Sequence, residues 1–184
     1  MKPGNSERSK MLERSTDEVR TYKTIAADPP WRERGGGKIK RGADKHYPLM
    51  KTPEIIETML DANCWRPADG CHLYLWTTNN FLKDGLQVIE ALGFRYVTMI
   101  TWVKDRFGLG YYFRGQTEPL LFGVRGKLKP QVKNEPTVIQ APRRRHSQKP
   151  QDAYRKMMAV SPGPRLEMFA RDSREGWDVW GNEV

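Results

Sequence analysis

The stretch Thr21-Tyr22-Lys23-Thr24-Ile25-Ala26-Ala27-Asp28-Pro29-Pro30-Trp31 joins a strand signal to a hard stop. Thr21 to Ala27 is rich in strand-forming side chains and predicts a β-strand. Pro29 and Pro30 have no backbone N–H to give a ladder, so the strand must end at Asp28 and enter a rigid turn. In open sheets of parallel strands, ligands bind beyond the carboxyl ends of the strands. If the rest of the chain builds such a sheet, Asp28, Pro29, Pro30 and Trp31 stand where a ligand is met.

Just downstream, Arg32 to Asp44 contains Gly35, Gly36 and Gly37 and five basic residues, which predicts a mobile basic loop. Strand and helix signals then alternate. Thr52 is expected to cap a helix that begins at Pro53 and carries Ile55, Ile56, Met59 and Leu60 on one side. Cys71 to Trp76 reads as a strand; Asn79 or Asn80 caps a helix through Leu92, ended by Gly93. Phe94 to Val103 is the next strand, followed by a glycine-rich connector from Phe107 to Gly115. Further strands are expected at Pro119–Val124, Thr137–Gln140 and Arg165–Ala170, with a helix at Gln151–Ala159. This alternation predicts an α/β fold with a largely parallel sheet. The carboxyl-edge rule then adds Thr77 to Asn80, Lys104 and Arg171 to Arg174 to the candidate ligand-facing residues.

Upstream, residues 1–20 are polar and read as a leader, leaving 21–184 as a single domain. Across 184 residues, 32 Lys and Arg oppose 22 Asp and Glu, a net charge of +10 that suits a polyanionic partner, most simply nucleic acid. A hydrophobic content of 38% excludes a disordered polyelectrolyte. Apolar runs are strand-sized, so no membrane span is expected, and the charged N-terminus lacks the apolar core of a secretory signal. Cys64 and Cys71 make neither a disulfide framework nor a zinc spacing, so no metal is expected. Neither a Gly-x-Gly-x-x-Gly nor a Walker loop is present, which removes most support for dinucleotide or ATP binding. A reduced, cytoplasmic protein is the expectation.

Asp28 to Trp31 admits two readings. The plain one is a proline turn with a half-buried tryptophan. The sharper one starts from the exocyclic amine of adenine, a poor nucleophile because its lone pair is delocalised into the ring. A site assists it by accepting hydrogen bonds from the amine while a methyl donor is held in line. The Asp28 carboxylate and the Pro29 carbonyl offer two acceptors, the latter aimed by a fixed φ. Trp31 offers a plate on which an extruded base could stack.

Ala27-Asp28-Pro29-Pro30-Trp31 resembles the catalytic motif of the MT-A70 family of adenine-N6 methyltransferases. Further blocks follow in that family's order. They include His46-Tyr47-Pro48-Leu49-Met50, Leu73 to Thr77, Ile100 to Lys104, Glu118 to Gly126, His146 to Pro150, Ser161 to Gly163, Glu167 to Arg171 and Trp177 to Val184. The likeness covers about Thr24 to the C-terminus and resembles the compact bacterial and phage members. It implies a Rossmann-like, S-adenosylmethionine-dependent methyltransferase fold in the permuted order, with the catalytic motif ahead of the cofactor strand.

Residue by residue, the resemblance implies that Asp28 and Pro29 hold the amine and that Asp28 also lies near the methionine end of the cofactor. It implies that Lys149 pairs with the cofactor's carboxylate and that Arg171, Ser173 and Arg174 meet ribose or carboxylate groups. Asn182 and Glu183 match a pair contacting the cofactor nucleoside. Glu167 is either a ribose ligand or an inward strand residue. The family's glycine before the strand-end arginine is Ala170 here, and its His-Asn is often found where this chain has Ser173-Arg174. Lys38, Lys40, Arg41, Arg143, Arg144 and Arg145 form either a solvated charge run or, as preferred here, a phosphate track. His46 and Tyr47 join them as candidate nucleic-acid contacts, and His146 lies on a similar loop, whereas His72 reads as structural. The implied partner is DNA rather than RNA, with a homodimer or a second subunit left open. A catalytically silent binding subunit is the competing class, and the intact Asp28 to Trp31 motif weighs against it.

Overall fold

The computed structural model describes residues 20–32, 49–108, 112–143 and 148–181. Seven strands form one sheet: β1 (Tyr22–Ala27), β2 (Pro67–Trp76), β3 (Arg95–Val103), β4 (Thr117–Arg125), β5 (Val138–Gln140), β6 (Arg165–Met168) and β7 (Asp178–Trp180). Three helices accompany them: α1 (Thr52–Asp61), α2 (Leu82–Ala91) and α3 (Gln151–Val160). The strand order is β5-β3-β4-β2-β1-β6-β7. Parallel pairing joins β1 to β2 and β6, β3 to β5, and β6 to β7. Only β4 runs against its neighbours, β2 and β3. The expected largely parallel α/β sheet is therefore present, in a Rossmann-like layout in which the chain's last two strands return beside its first.

Alternation along the strands sorts side chains between two cores. Ile25, Leu73 and Leu75 face α1 and α2, meeting Ile55, Met59, Val88 and Ile89. Ala26, Tyr74 and Trp76 face the other way, meeting Ala153, Tyr154 and Met157 of α3. This division follows from topology. The chain steps outward from β1 through β2 to β3, then crosses back from β5 to β6, and right-handed crossovers in opposite directions place their helices on opposite faces. The reversal falls beside β1, so the ends of β1 and β6 bound the crevice where such sheets bind ligands.

Local chemistry accounts for most boundaries. Gly93, at φ 79°, ends α2 as expected, and the Phe94 N–H donates to the Ile89 carbonyl to close the last turn. Thr52 does not cap α1; Lys51 holds that position, with its N–H donating to the Glu54 carboxylate (2.7 Å). The Thr52 hydroxyl instead donates to Asp84 at 2.6 Å and ties α1 to α2. Asn79 and Asn80 begin a short 3₁₀ turn, Asn79–Phe81, rather than the α-helix itself. His72 is structural. Its Nε2 faces the Leu128 carbonyl at 3.2 Å and its Nδ1 meets the Ser161 hydroxyl at 2.7 Å, so both ring nitrogens are used in a buried setting. No helix among the described residues is long and apolar enough to cross a membrane.

Candidate active site

Asp28 follows β1 directly, and its N–H reaches the Met168 carbonyl of β6 at 3.4 Å. The Trp31 N–H then donates to the Pro29 carbonyl at 2.9 Å, closing a tight turn around Pro30. That bond fixes the direction of the Pro29 carbonyl and uses one of its two lone pairs, leaving one acceptor position for another donor. The Pro30 carbonyl accepts from the Met50 N–H at 2.9 Å, and Trp31 and Met50 form a parallel bridge. The chain thus leaves and re-enters the sheet edge at one point.

Trp31 does not serve as the expected base-stacking plate. It is 6% exposed, its indole N–H donates to the Trp76 carbonyl at 2.9 Å, and its ring stacks on Phe81 at 5.7 Å. The ring is consumed by the core, and its contribution is to hold the turn that carries Asp28 and Pro29.

Four alternating charges cross the carboxyl edge of the sheet. Lys149, just ahead of α3, places Nζ 3.0 Å from Asp28 Oδ1 and 2.5 Å from Glu118 Oε1. Glu118 Oε2 takes Lys104 Nζ at 2.7 Å. Beneath them, Lys149 lies 5.1 Å from the Trp76 ring centre and Lys104 4.7 Å from that of Trp102. Burial pushes the Asp28 carboxyl above its ordinary range and Glu118 adds to the rise, with Lys149 and Arg171 opposing. Burial also acts on Glu118, but Lys149 and Lys104 outweigh it and hold that carboxyl below its ordinary range. Lys149 is drawn down by burial and lifted further by its two carboxylates, so it stays charged. Lys149, expected to pair with a cofactor carboxylate, here pairs with two carboxylates of the chain itself, Asp28 and Glu118. Sequence reasoning gave Glu118 no role in the site, because it assumed that strands present their last residues at this edge. β4 runs the opposite way and presents its first.

A second cluster lies at β6. Glu167 is buried, accepts from the Tyr154 hydroxyl at 2.5 Å and lies 3.5 Å from Arg174 Nε. Arg174 also covers the Tyr154 ring at 3.4 Å and donates to Gln151 at 2.8 Å. Burial raises the Glu167 carboxyl against the pull of Tyr154 and Arg174. Arg171 is near enough to Asp28 to act on it, while Ser173 is exposed on the β6–β7 connector. The indole nitrogens of Trp76 and Trp177 and the Thr78 hydroxyl are buried without a partner. Phe169, just past the end of β6 with its ring edge-on to Trp180, has φ 60°, a strained conformation for a residue with a side chain. Arg143 stands apart, on the loop after β5, where its N–H donates to Asp105 at 2.8 Å beside a cleft of about 420 Å³. Lys38, Lys40, Arg41, His46, Tyr47, Arg144, Arg145, His146, Asn182 and Glu183 lie outside the described residues. Among the described residues no group of three or more His, Cys, Asp or Glu side chains could hold a metal.

A largely parallel α/β sheet with a carboxylate–proline turn at its switch point is the layout expected of a Rossmann-like methyltransferase. The MT-A70 family profile matches residues 22–183, and the chain belongs to the MT-A70 family. It is 30% identical to the Type II methyltransferase M.MunI of Mycoplasma sp over 89% of this chain and 78% of that protein. It is 30% identical to a putative N(6)-adenosine-methyltransferase MT-A70-like protein of Medicago truncatula, covering 89% of this chain and 26% of that one. It is 29% identical to the human N(6)-adenosine-methyltransferase catalytic subunit METTL3, covering 89% of this chain and 28% of that one. The chain thus spans most of the first relative and little more than a quarter of the other two.

Proposed function

We propose that this chain transfers a methyl group from S-adenosylmethionine to the N6 amine of adenine in nucleic acid, with DNA as the substrate. The observation that carries the reading is the Asp28–Pro29 turn at the switch point, its carboxylate held by Lys149 in a half-buried setting. The cofactor is a zwitterion with a sulfonium, and the donor set suits it. Asp28 offers an anion to a cationic centre, Lys149 a cation to a carboxylate, and Glu167 an acceptor for ribose hydroxyls. The buried, unpartnered Trp177 nitrogen beside Tyr154 marks a polar position still to be satisfied there. Arg171, Ser173 and Arg174 complete the candidate set. When bound, the cofactor supplies an electrophilic methyl.

This chain's own groups act on the amine. Asp28 and the remaining Pro29 lone pair each accept one N–H, which turns the nitrogen lone pair out of the ring system. As the nitrogen gains the methyl group, with the donor's sulfur–methyl bond broken to leave a neutral thioether, it gains positive charge; the Asp28 carboxylate stabilises that charge where it develops, and the surplus N–H proton is then released to solvent. The choice of DNA rests on the resemblance to compact bacterial and phage members and on the span shared with the Type II relative. The test is transfer of labelled methyl to DNA and to RNA oligonucleotides, followed by nucleoside analysis. Label in N6-methyladenine of DNA is expected, and Asp28→Ala should lower the rate at least about a hundredfold with the melting temperature preserved. Label at cytosine, or near-normal turnover by the variant, overturns the reading.

A further inference from the structure

The β3–β4 connector grows out of the site itself. Lys104 and Glu118, which continue the charge chain from Lys149, stand at its two roots. The Lys104 N–H donates to the Gln116 carbonyl at 2.9 Å, and the Gln116 side chain returns a bond to the Lys104 carbonyl at 2.9 Å. Further out, the Gly108 N–H donates to the Gly115 carbonyl at 2.6 Å, and Arg114 Nε donates to the Gly108 carbonyl at 2.8 Å. The two limbs are thus held side by side beyond the ends of their strands.

What this projection displays is unusual for a protein surface. Phe107 is 67% exposed, Tyr112 87% and Phe113 89%. Three large rings held in water on one short, cross-linked connector have lost the burial that normally stabilises such side chains. Arg106 and Arg114 are interleaved with them, both exposed, and Asp105 draws the Arg143 backbone alongside. Aromatic faces interleaved with guanidinium groups at the edge of a charged site suit a nucleic-acid strand, because every base has a stackable face and every linkage a phosphate. The net charge of +10 adds the long-range complement.

We propose that the β3–β4 connector is a stacking platform for unpaired bases flanking the methylated adenine, with Phe107, Tyr112 and Phe113 as the plates and Arg106 and Arg114 on the phosphates. The proposal rests on the nucleic-acid reading above and extends it to a site that Trp31 does not supply. Anisotropy with labelled single-stranded oligonucleotides tests it. Each probe carries one adenine flanked by natural bases or by abasic residues, in deoxy and ribo versions. Removing the flanking bases should weaken wild-type binding by about fivefold or more, the low end for one lost stacking contact. The variant Phe107→Ala/Tyr112→Ala/Phe113→Ala should bind the natural strand about as weakly and be indifferent to abasic flanks. Its melting temperature and cofactor affinity should be unchanged, and Phe113→Ala alone should show part of the effect. An effect in either sugar series supports the platform, and the stronger series identifies the strand it serves. A variant that keeps full sensitivity to abasic flanks overturns the proposal. So does one that binds normally but has lost self-association by sedimentation, which would make these rings a protein interface. If flank-dependent binding is found without methyl transfer, the activity reading falls and the platform stands; if the wild type binds no oligonucleotide, both fall.

Discussion

Asp28 is pulled two ways, and the balance is what a rate measurement reads. It must be ionised to accept from an amine, so turnover should rise as pH climbs through its raised pKa. Burial and the Glu118 charge lift that pKa, and Lys149 lowers it. Glu118→Gln removes a lifting charge and leaves Lys149 to Asp28 alone, so both consequences act in one direction. The acid limb of kcat against pH should therefore move to lower pH. A shift to higher pH, or none, would show that Glu118 does not act on Asp28 electrostatically. The placing of Asp28 and Lys149 at the sheet edge was legible in the sequence because it hangs on strand ends and motif order. Glu118 was not, because its place depends on the direction of β4, which a run of apolar residues does not encode. Trp31 was misjudged for a related reason. A tryptophan beside a catalytic turn has the composition of a stacking plate, and only the position of Phe81 and the Trp76 carbonyl shows that its ring is already engaged.

Among the elements, those with clear punctuation agreed with expectation: β1 stops at the prolines, α2 at Gly93, and α3 begins after Pro150. β7 carried no such signal. Three residues, Asp178–Trp180, are too few to show alternation, and the strand exists because it pairs with β6. Its docking depends on Gly181. The Ala170 N–H donates to the Trp180 carbonyl at 2.9 Å, and a Cβ on Gly181 would lie 2.2 Å from the Ala170 carbonyl oxygen. Neither backbone can yield without separating β7 from the β6 end. Gly181→Ala should therefore cost about 2 kcal/mol or more, within the usual range for forced overpacking. In a chain of this length that is a fall of roughly 4–8 °C in melting temperature. Because Arg171 and the Phe169 turn lie between the two strands, cofactor affinity should weaken as well. Calorimetry on the variant checks both, and an unaltered melting temperature would mean that the end of β7 has room to move.

At the scale of the whole molecule, the catalytic turn, the charge chain and the β6 cluster all hang from one sheet edge. The described residues on either side of 33–48 are clasped there by the Trp31–Met50 bridge and the Met50-to-Pro30 hydrogen bond. A segment whose ends are already clasped contributes little to closing the chain, and the entropy of such a loop grows only with the logarithm of its length. This segment should therefore behave as an exchangeable cassette, one that can be lengthened, shortened or replaced while the described scaffold keeps its stability. Replacing residues 33–48 with a Gly-Ser linker of equal length should leave the melting temperature within about 2 °C of the parent, the behaviour of a neutral surface change. Because that replacement removes Arg34, Lys38, Lys40, Arg41 and Lys45 together, it should also flatten the salt dependence of nucleic-acid binding by up to about four to five units of slope. A collapsed melting temperature would show that the scaffold depends on the cassette. Otherwise, the clasp separates a segment that can diverge among related chains from a scaffold that keeps its stability whatever that segment carries.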